Sequence, residues 1–258
     1  MAVTIGLIFF GLVMIAFFIL GAKGWGGSSA ADEEHEFCER PRTGKMIKEP
    51  VNTWSNLSFV LAGLGILLFL DLSKTLTTPQ NPFLSLSLYS ILYGCLVIWL
   101  GPGSMFLHAS LKQWGGWLDN LSMNTYITFI PCYDLTRLYK LNLGYFLLMY
   151  AGINIALALI TWFWRWQHSG KLLFGLVIGI AVAIEILFNI KGPDRTIGWL
   201  IGGVGIFIAA WIIWWFSRNE APLCKPDSIW QGHAAWHILS AATTVFLFVY
   251  FCSEVGAI

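Results

Sequence analysis

Charged residues are scarce in this chain of 258 residues. Asp, Glu, Lys and Arg together make up 11% of it, against about 25% in an average soluble globular protein. Hydrophobic residues make up 57%. This number of charges is too small for a surface that faces water all around. The hydrocarbon of a bilayer must therefore surround much of the chain. The net charge is only +1, which argues against a nucleic-acid partner, because such partners are held through many phosphate contacts.

Long apolar runs recur along the whole chain. A bilayer-spanning helix needs about 20 mostly apolar residues, and such runs occupy about 3–22, 51–72, 83–108, 117–138, 143–164, 172–190, 195–216 and 231–251. They predict an all-α membrane protein. Its parts are one extra N-terminal hydrophobic helix over 1–22, a polar segment with an acidic cluster over 23–50, and a seven-transmembrane helix bundle over 51–258. The first run exceeds the 7–15 apolar residues usual for a signal peptide, which favours an uncleaved anchor, although Ser28 to Ala31 resemble a small-residue cleavage site.

Alternating the seven bundle helices across the membrane brings several polar positions to one face. We call it side A, the side on which residues 32–49 lie. His108 at the end of one helix, Asp119 near the start of the next, and His233 at the start of the last all fall on side A. Nothing in the alternation forces this convergence, so it is the first functional signal.

Two of the five cysteines, Cys38 and Cys224, fall in polar segments on side A. A disulfide between them would imply an oxidising compartment and would place side A outside, as would an N-terminal anchor that starts inside. Lys and Arg are more numerous on side A, which by the positive-inside rule argues for the cytoplasm, but the long 23–50 segment inflates that number. We expect side A to be exoplasmic.

Histidine is rare, with five in the chain. His233 and His237 stand four apart, a spacing that puts both imidazoles on one face of a helix, one turn apart. Such a pair chelates a metal well, as in zincin helices, but Ala-Ala-Trp lies between them here, so a general base must come from elsewhere. Taken alone, the pair is equally consistent with two histidines that make ordinary hydrogen bonds at a helix end. His35 and His168 are expected to be solvated.

A second motif favours a metal-binding role for the His233 and His237 pair. Ser104 and His108 also stand four apart, directly after the Gly-Pro-Gly run 101–103, which should kink or unwind its helix. Broken backbone inside a membrane is tolerated where it is buried in protein or lines a cavity. Asp119 follows eleven residues after His108, and an acid facing a bundle interior is a functional candidate.

Three neutral imidazoles, from His108, His233 and His237, would leave the fourth tetrahedral position of Zn²⁺ open, as in catalytic zinc sites. The metal lowers the pKa of water in that position to about 7. Asp119 could accept the water proton or orient a histidine, and Ser104 could hydrogen-bond a substrate carbonyl or its oxyanion. The sequence leaves the division of these roles open.

Taken together, these motifs resemble the alkaline ceramidase family, part of a superfamily that includes the adiponectin receptors. The resemblance covers residues from about 36 to 251 and includes Phe-Cys-Glu at 37–39 and Glu-Pro-Val-Asn-Thr-Trp-Ser-Asn at 49–56. It implies a zinc-dependent amidohydrolase that takes ceramide or a related N-acyl lipid from the bilayer. The residues it implies are His108, His233 and His237 as zinc ligands, and Ser104 and Asp119 as the catalytic pair.

The resemblance also implies a calcium site before the first bundle helix. The matching positions are Glu36, Phe37 (through its carbonyl), Glu39 and Glu49. One further ligand of the family, an Asn shortly after the second acid, is not matched, because Arg and Pro stand at 40–41. A hard cation needs about six to eight oxygens, so calcium stays an open alternative.

Two other functions compete with amide hydrolysis. The same zinc site could cleave an ester lipid or a phospholipid acyl chain, since the residues do not define the headgroup. Zinc could instead have a purely structural role in a non-catalytic receptor or transporter. A bis-histidine haem between two helices would leave the i+4 histidine unexplained. The oligomeric state is not defined by the sequence.

Three charged residues elsewhere receive ordinary structural interpretations. Asp134 and Arg137, toward the face opposite side A, are expected to form a helix-end pair. Glu185 lies in the middle of an apolar run, where it is expected to be protonated or to pair across the bundle.

Overall fold

The structure is a computed structural model that describes residues 1–29, 37–73, 81–163 and 169–255, without the side chains of 169–172. Its regular elements in this part of the chain are all helical. They are α1 (Ala2–Ala22), α2 (Pro50–Ser55), α3 (Leu57–Leu72), α4 (Leu88–Ser110), α5 (Gln113–Leu138), α6 (Leu143–Phe163), α7 (Ser169–Lys191), α8 (Ile197–Phe216) and α9 (Gly232–Cys252). A short 3-10 turn, Pro82–Leu84, precedes α4.

Seven helical segments in the described residues are long and apolar enough to cross a membrane, counting α2 and α3 together as Pro50–Leu72 and including α1. The chain is therefore an integral, multi-pass membrane protein. We expected eight spans, a bundle of seven plus one, and this criterion does not yield the additional one. The segment that fails is α5, whose 26 residues include many polar side chains.

The lipid-facing surface and the core lie on different helices. Large apolar side chains of α1 and α6 to α8 point outward, as shown by Leu148 at 73% and Ile201 at 65% exposure. In contrast, nearly all of α4 from Tyr93 to Ser110 is buried, and α4 packs against α1, α3 and α5. Since α5 in turn packs against α4, α6 and α7, its polar side chains meet protein rather than lipid.

Glycines allow α4 to approach its neighbours closely. A side-chain carbon added at Gly63 of α3 would lie 2.7 Å from the carbonyl oxygen of Gly94, and one at Gly103 would lie 2.5 Å from Cβ of Ser122. Small residues are the usual means of close helix contact in membranes. The Gly-Pro-Gly run 101–103 does not unwind, because α4 is continuous through Pro102. That part of our expectation is wrong: these glycines serve packing rather than a broken helix.

The segments expected on side A do meet at one end of the helices. Cys38 and Cys224 form a disulfide with a Cα–Cα distance of 5.4 Å, which joins the segment before α2 to the α8–α9 connection. The guanidinium of Arg40 donates to both carboxylate oxygens of Asp227, at 2.7 and 2.9 Å. These links tie residues 37–40 onto the end of the bundle.

The opposite end carries a buried ionic cluster, and it corrects one expectation. Asp134 pairs with Arg195 at 2.8 Å rather than with Arg137, and Arg137 and Arg195 both bind the carboxylate of Glu254. Glu185 accepts a hydrogen bond from the hydroxyl of Tyr250 in α9, so it does interact across the bundle. The cluster joins α5, the start of α8 and the end of α9.

Candidate metal centre

Three histidines meet at the side A end of α4 and α9. His108 lies in the last turn of α4, and the next residue after the helix, Leu111, has a left-handed backbone (φ 49°). His233 and His237 lie in the first two turns of α9, which begins at Gly232. The four-residue spacing puts the α9 pair on one face, and that face points at the end of α4.

The geometry of the three rings suits one metal ion. Their centroids are 4.8 Å (His108–His233), 5.3 Å (His108–His237) and 4.5 Å (His233–His237) apart. Atoms able to ligate, one from each residue, all lie within 4.8 Å of one another. The Nε2 atoms of His108 and His233 are 3.1 Å apart, close to the roughly 3.3 Å between two ligands of a tetrahedral zinc ion with bonds of about 2.0–2.1 Å. This buried group can bind a metal such as zinc.

A buried carboxylate orients His108. Nδ1 of His108 lies 2.7 Å from Oε2 of Glu49, and both side chains are almost fully buried. The same oxygen accepts from the side-chain amide of Asn52 at 3.1 Å. Held at Nδ1 by this carboxylate, the ring turns its Nε2 toward the other histidines. Carboxylate–histidine pairs of this kind are usual behind metal ligands.

A serine orients His237 in the same way. Oγ of Ser55 lies 2.7 Å from Nδ1 of His237 and donates to the carbonyl of Asn52 at 2.9 Å. Since the hydroxyl proton is used on that carbonyl, Nδ1 of His237 is the donor and its Nε2 is free to ligate. His233 differs, because its buried Nδ1 has no hydrogen-bond partner in the described part of the chain. Its Nε2 lies 3.1 Å from Nε2 of His108, which places that nitrogen to share an ion with His108.

Phe37 covers the histidines. Its ring centroid lies 4.7 Å from that of His108 and 4.4 Å from that of His233. The adjacent Cys38 is held by the disulfide, and the backbone of Phe37 bridges that of Arg218. The sequence had suggested Phe37 only as a calcium ligand through its carbonyl. Its aromatic ring also shields the metal centre on side A.

The two predicted catalytic residues lie on adjoining turns of α4 and α5. Ser104 is buried one turn before His108. Its neighbour Gly103 packs so closely on α5 that an added Cβ would lie 3.2 Å from the carbonyl oxygen of Leu118. Asp119, half-buried, follows Leu118 directly. The α4–α5 contact therefore brings the turn that carries Asp119 against the turn that carries Ser104.

The candidate calcium residues surround the start of α2. Glu36 lies outside the described residues. Glu39 is buried, and its two carboxylate oxygens accept the backbone N–H groups of Val51 (2.9 Å) and Asn52 (2.7 Å), so it caps α2. Burial raises the pKa of Glu39 above its ordinary value, against the effect of these hydrogen bonds. The second oxygen of Glu49, Oε1, is buried without a partner among the described residues.

The fold and this site define a polytopic membrane protein with a buried three-histidine centre at one membrane face. The family model described as Ceramidase matches residues 29–254. The chain therefore belongs to the ceramidase family, as its motifs predicted. The family implies an amidohydrolase with a lipid substrate. Helix α1 precedes the matched residues. No curated protein matches the sequence.

Proposed function

We propose that this protein is a zinc-dependent hydrolase that cleaves the amide bond of ceramide or a related N-acyl lipid, releasing a fatty acid and an amine. The observation that carries the proposal is the buried cluster of His108, His233 and His237 on α4 and α9, in a chain of the ceramidase family. When bound by three imidazoles, zinc supplies a Lewis acid with one open position that makes water acidic near neutral pH.

The surrounding residues prepare the histidines for this role. Glu49 and Ser55 fix the tautomers of His108 and His237, so both Nε2 lone pairs face the centre before any ion arrives. Pre-orientation of this kind removes a cost that flexible ligands would incur on binding. Phe37 excludes bulk water from one side of the cluster, which strengthens electrostatic interactions inside it.

Ser104 and Asp119 complete the proposed chemistry. Asp119 accepts the proton of the attacking water and passes it to the leaving amine, as a general base followed by a general acid. Ser104 donates a hydrogen bond to the amide oxygen, where negative charge develops during attack. The support for these roles is their position on adjoining turns of α4 and α5, with Ser104 one helical turn from His108.

A calcium ion beside the metal centre is part of the proposal. Glu39, the carbonyl of Phe37 and the unpartnered Oε1 of Glu49 would supply oxygens, with Glu36 as a fourth residue. Glu49 would then contribute Oε1 to calcium while its Oε2 holds His108 in place. Both oxygens of Glu39 would also keep their backbone N–H donors at the start of α2.

The membrane arrangement follows from the same observations. We propose that α5 spans the membrane as the polar centre of a seven-helix bundle, and that α1 is the additional helix. Helix α5 has 26 residues, which gives about 39 Å at 1.5 Å per residue, enough to cross the hydrocarbon core. The Cys38–Cys224 disulfide supports an exoplasmic side A, because disulfides persist in oxidising compartments.

Labelled lipid hydrolysis tests the proposal. Purified protein is incubated with ceramide and with a phospholipid, each with and without a zinc chelator. We expect fatty-acid release from ceramide, its loss with chelator, and recovery on adding zinc. His237→Ala should be inactive, and His168→Ala should remain active, because we expect His168, which lies outside the described residues, to be solvated.

Other outcomes would select the competing functions. Release from the phospholipid but not from ceramide would identify an acyl-ester hydrolase. Zinc-loaded, folded protein without turnover of either lipid would identify a non-catalytic receptor and contradict the proposed enzyme.

A further inference from the structure

A cavity lies on side A, beside the metal centre rather than over it. Its volume is about 520 Å³. Its walls come from the end of α1, the segment after it, the connection before α2, and the turn between α4 and α5. The lining residues are Gly21, Ala22, Gly24, Trp25, Ser29, Pro41, Thr43, Gly44, Lys45, Met46, Lys48, Ser110, Leu111 and Lys112.

The lining is strongly basic. Lys45, Lys48 and Lys112 contribute three positive charges, and none of the described lining residues is acidic. None of the three lysines forms an ion pair with a described residue. The acid next to Lys48 in the sequence, Glu49, is directed to His108 instead. Three ammonium groups around one cavity, without a matching anion from the described part of the chain, indicate an anionic ligand.

The walls are fixed by hydrogen bonds rather than only by loop contacts. The indole N–H of Trp25 donates to the carbonyl of Met46 at 2.6 Å, and Ser29 pairs with Lys112 in an antiparallel bridge. The indole of Trp114 donates to the carbonyl of Gly26 at 3.2 Å. These bonds join the segment after α1 to the connection before α2 and to the region between α4 and α5, so the cavity is preformed.

The position and lining favour the headgroup of a lipid. The end of α1 forms one wall, and nearby α1 residues such as Ile15 (58%) and Ile19 (50%) are exposed to the bilayer. The floor includes the apolar side chains of Trp25, Met46 and Leu111. A ligand there would place its charge between the lysines and its acyl chains along α1.

We propose that this cavity binds the phosphate group of an anionic phospholipid, at a site separate from the metal centre. A phosphate monoester carries between one and two negative charges at neutral pH and suits several lysines, each of which binds phosphate as a point charge. A carboxylate, with a single charge, matches three lysines less well. The inference does not rest on the proposed hydrolase activity.

Lipid retention measured by native mass spectrometry of the full-length protein tests the proposal. The probes are dioleoyl phosphatidic acid, dioleoyl phosphatidylcholine, oleate and inorganic phosphate. We expect one phosphatidic acid to be retained in preference to phosphatidylcholine, more weakly as ionic strength rises. Lys48→Gln and Lys112→Gln should each weaken retention about fivefold, the scale expected for one basic residue at an anionic surface.

Lys225→Gln is the matched control, since Lys225 is exposed on the same face but lies outside the cavity; it should bind like the wild type. Zinc content serves as a check that each variant is folded. Equal retention of phosphatidic acid by the folded Lys48→Gln/Lys112→Gln double variant and the wild type would overturn the proposal. Retention of oleate in its place would overturn the phosphate assignment, and lysine-dependent binding of inorganic phosphate alone would overturn the lipid assignment.

Discussion

Replacing Glu49 tests whether the buried carboxylate behind His108 prepares the metal centre. The side chain is fully buried and holds Nδ1 of His108 at 2.7 Å. Glu49→Gln keeps the size of the side chain but replaces a charge-assisted hydrogen bond by a neutral one. Glu49→Ala removes the acceptor altogether and leaves the donors of His108 and Asn52 unpaired in the protein interior.

The expected loss follows from the kind of contact removed. Mutating the partner behind a metal-ligating histidine typically weakens metal affinity by about 10–100-fold, which corresponds to about 1.4–2.7 kcal/mol. We expect the loss of zinc affinity in Glu49→Gln to be near the lower limit of this range, because an amide oxygen can still accept from Nδ1. The loss in Glu49→Ala should be near the upper limit, because this variant also leaves a buried donor without an acceptor.

The assay is competition for zinc against a chromophoric chelator of known affinity, with calcium binding measured on the same samples. Glu220→Gln, an exposed acid on the same face, serves as the control and should bind zinc like the wild type. Zinc affinity within twofold of the wild type in both Glu49 variants, together with loss of calcium binding, would refute the orienting role and leave Glu49 as a calcium ligand.

Three further predictions concern stability. Cys38→Ser should lower the free energy of unfolding by about 2–4 kcal/mol and reduce activity by loosening the cover over the histidines, whereas Cys95→Ser, a free thiol, should do neither; unchanged thermal unfolding would contradict this. Arg195→Ala should cost about 3–5 kcal/mol, because it leaves buried carboxylates unpaired, while the protein that folds keeps its zinc; Arg42→Ala, an exposed control, should unfold like the wild type. The arginine beside Asp227 lowers the pKa of that carboxyl, so Asp227→Asn should cost a little stability near neutral pH, and this cost should shrink as the pH falls through the lowered folded-state pKa and the carboxyl becomes protonated in both states; a pH-independent difference in unfolding temperature would refute this.

The helices and the histidine cluster could be predicted because both leave local signals. An apolar run marks a buried or lipid-facing helix wherever it packs, and the last of them, predicted at 231–251, is observed as Gly232–Cys252. The spacing of His233 and His237 fixes their common face through helix geometry alone. Alternating the helices across the membrane then predicts that His108 lies at the same end, and this prediction does not require the packing angles.

The partners of charged side chains could not be predicted, because they depend on helix rotation and on contacts distant in sequence. Asp134 and Arg137 lie three apart on α5, yet their partners come from just before α8 and just after α9. Glu49 was suggested only as a calcium ligand, since nothing local indicates that its carboxylate reaches His108, 59 residues away. Hydropathy is also a poor guide to the surroundings of α5, because many of its polar side chains bond to carbonyls of the same helix and because the helix packs among α4, α6 and α7.

The zinc content of purified protein tests the central claim most directly. Elemental analysis of the wild type, His108→Ala, His233→Ala and His237→Ala, all purified with zinc present and then freed of loosely bound metal, compares the three ligands on equal terms. We predict one zinc per wild-type chain and far less than one in each variant. A wild type without zinc, or a folded variant that retains a full equivalent, would contradict the assignment of these three histidines as ligands of a single ion.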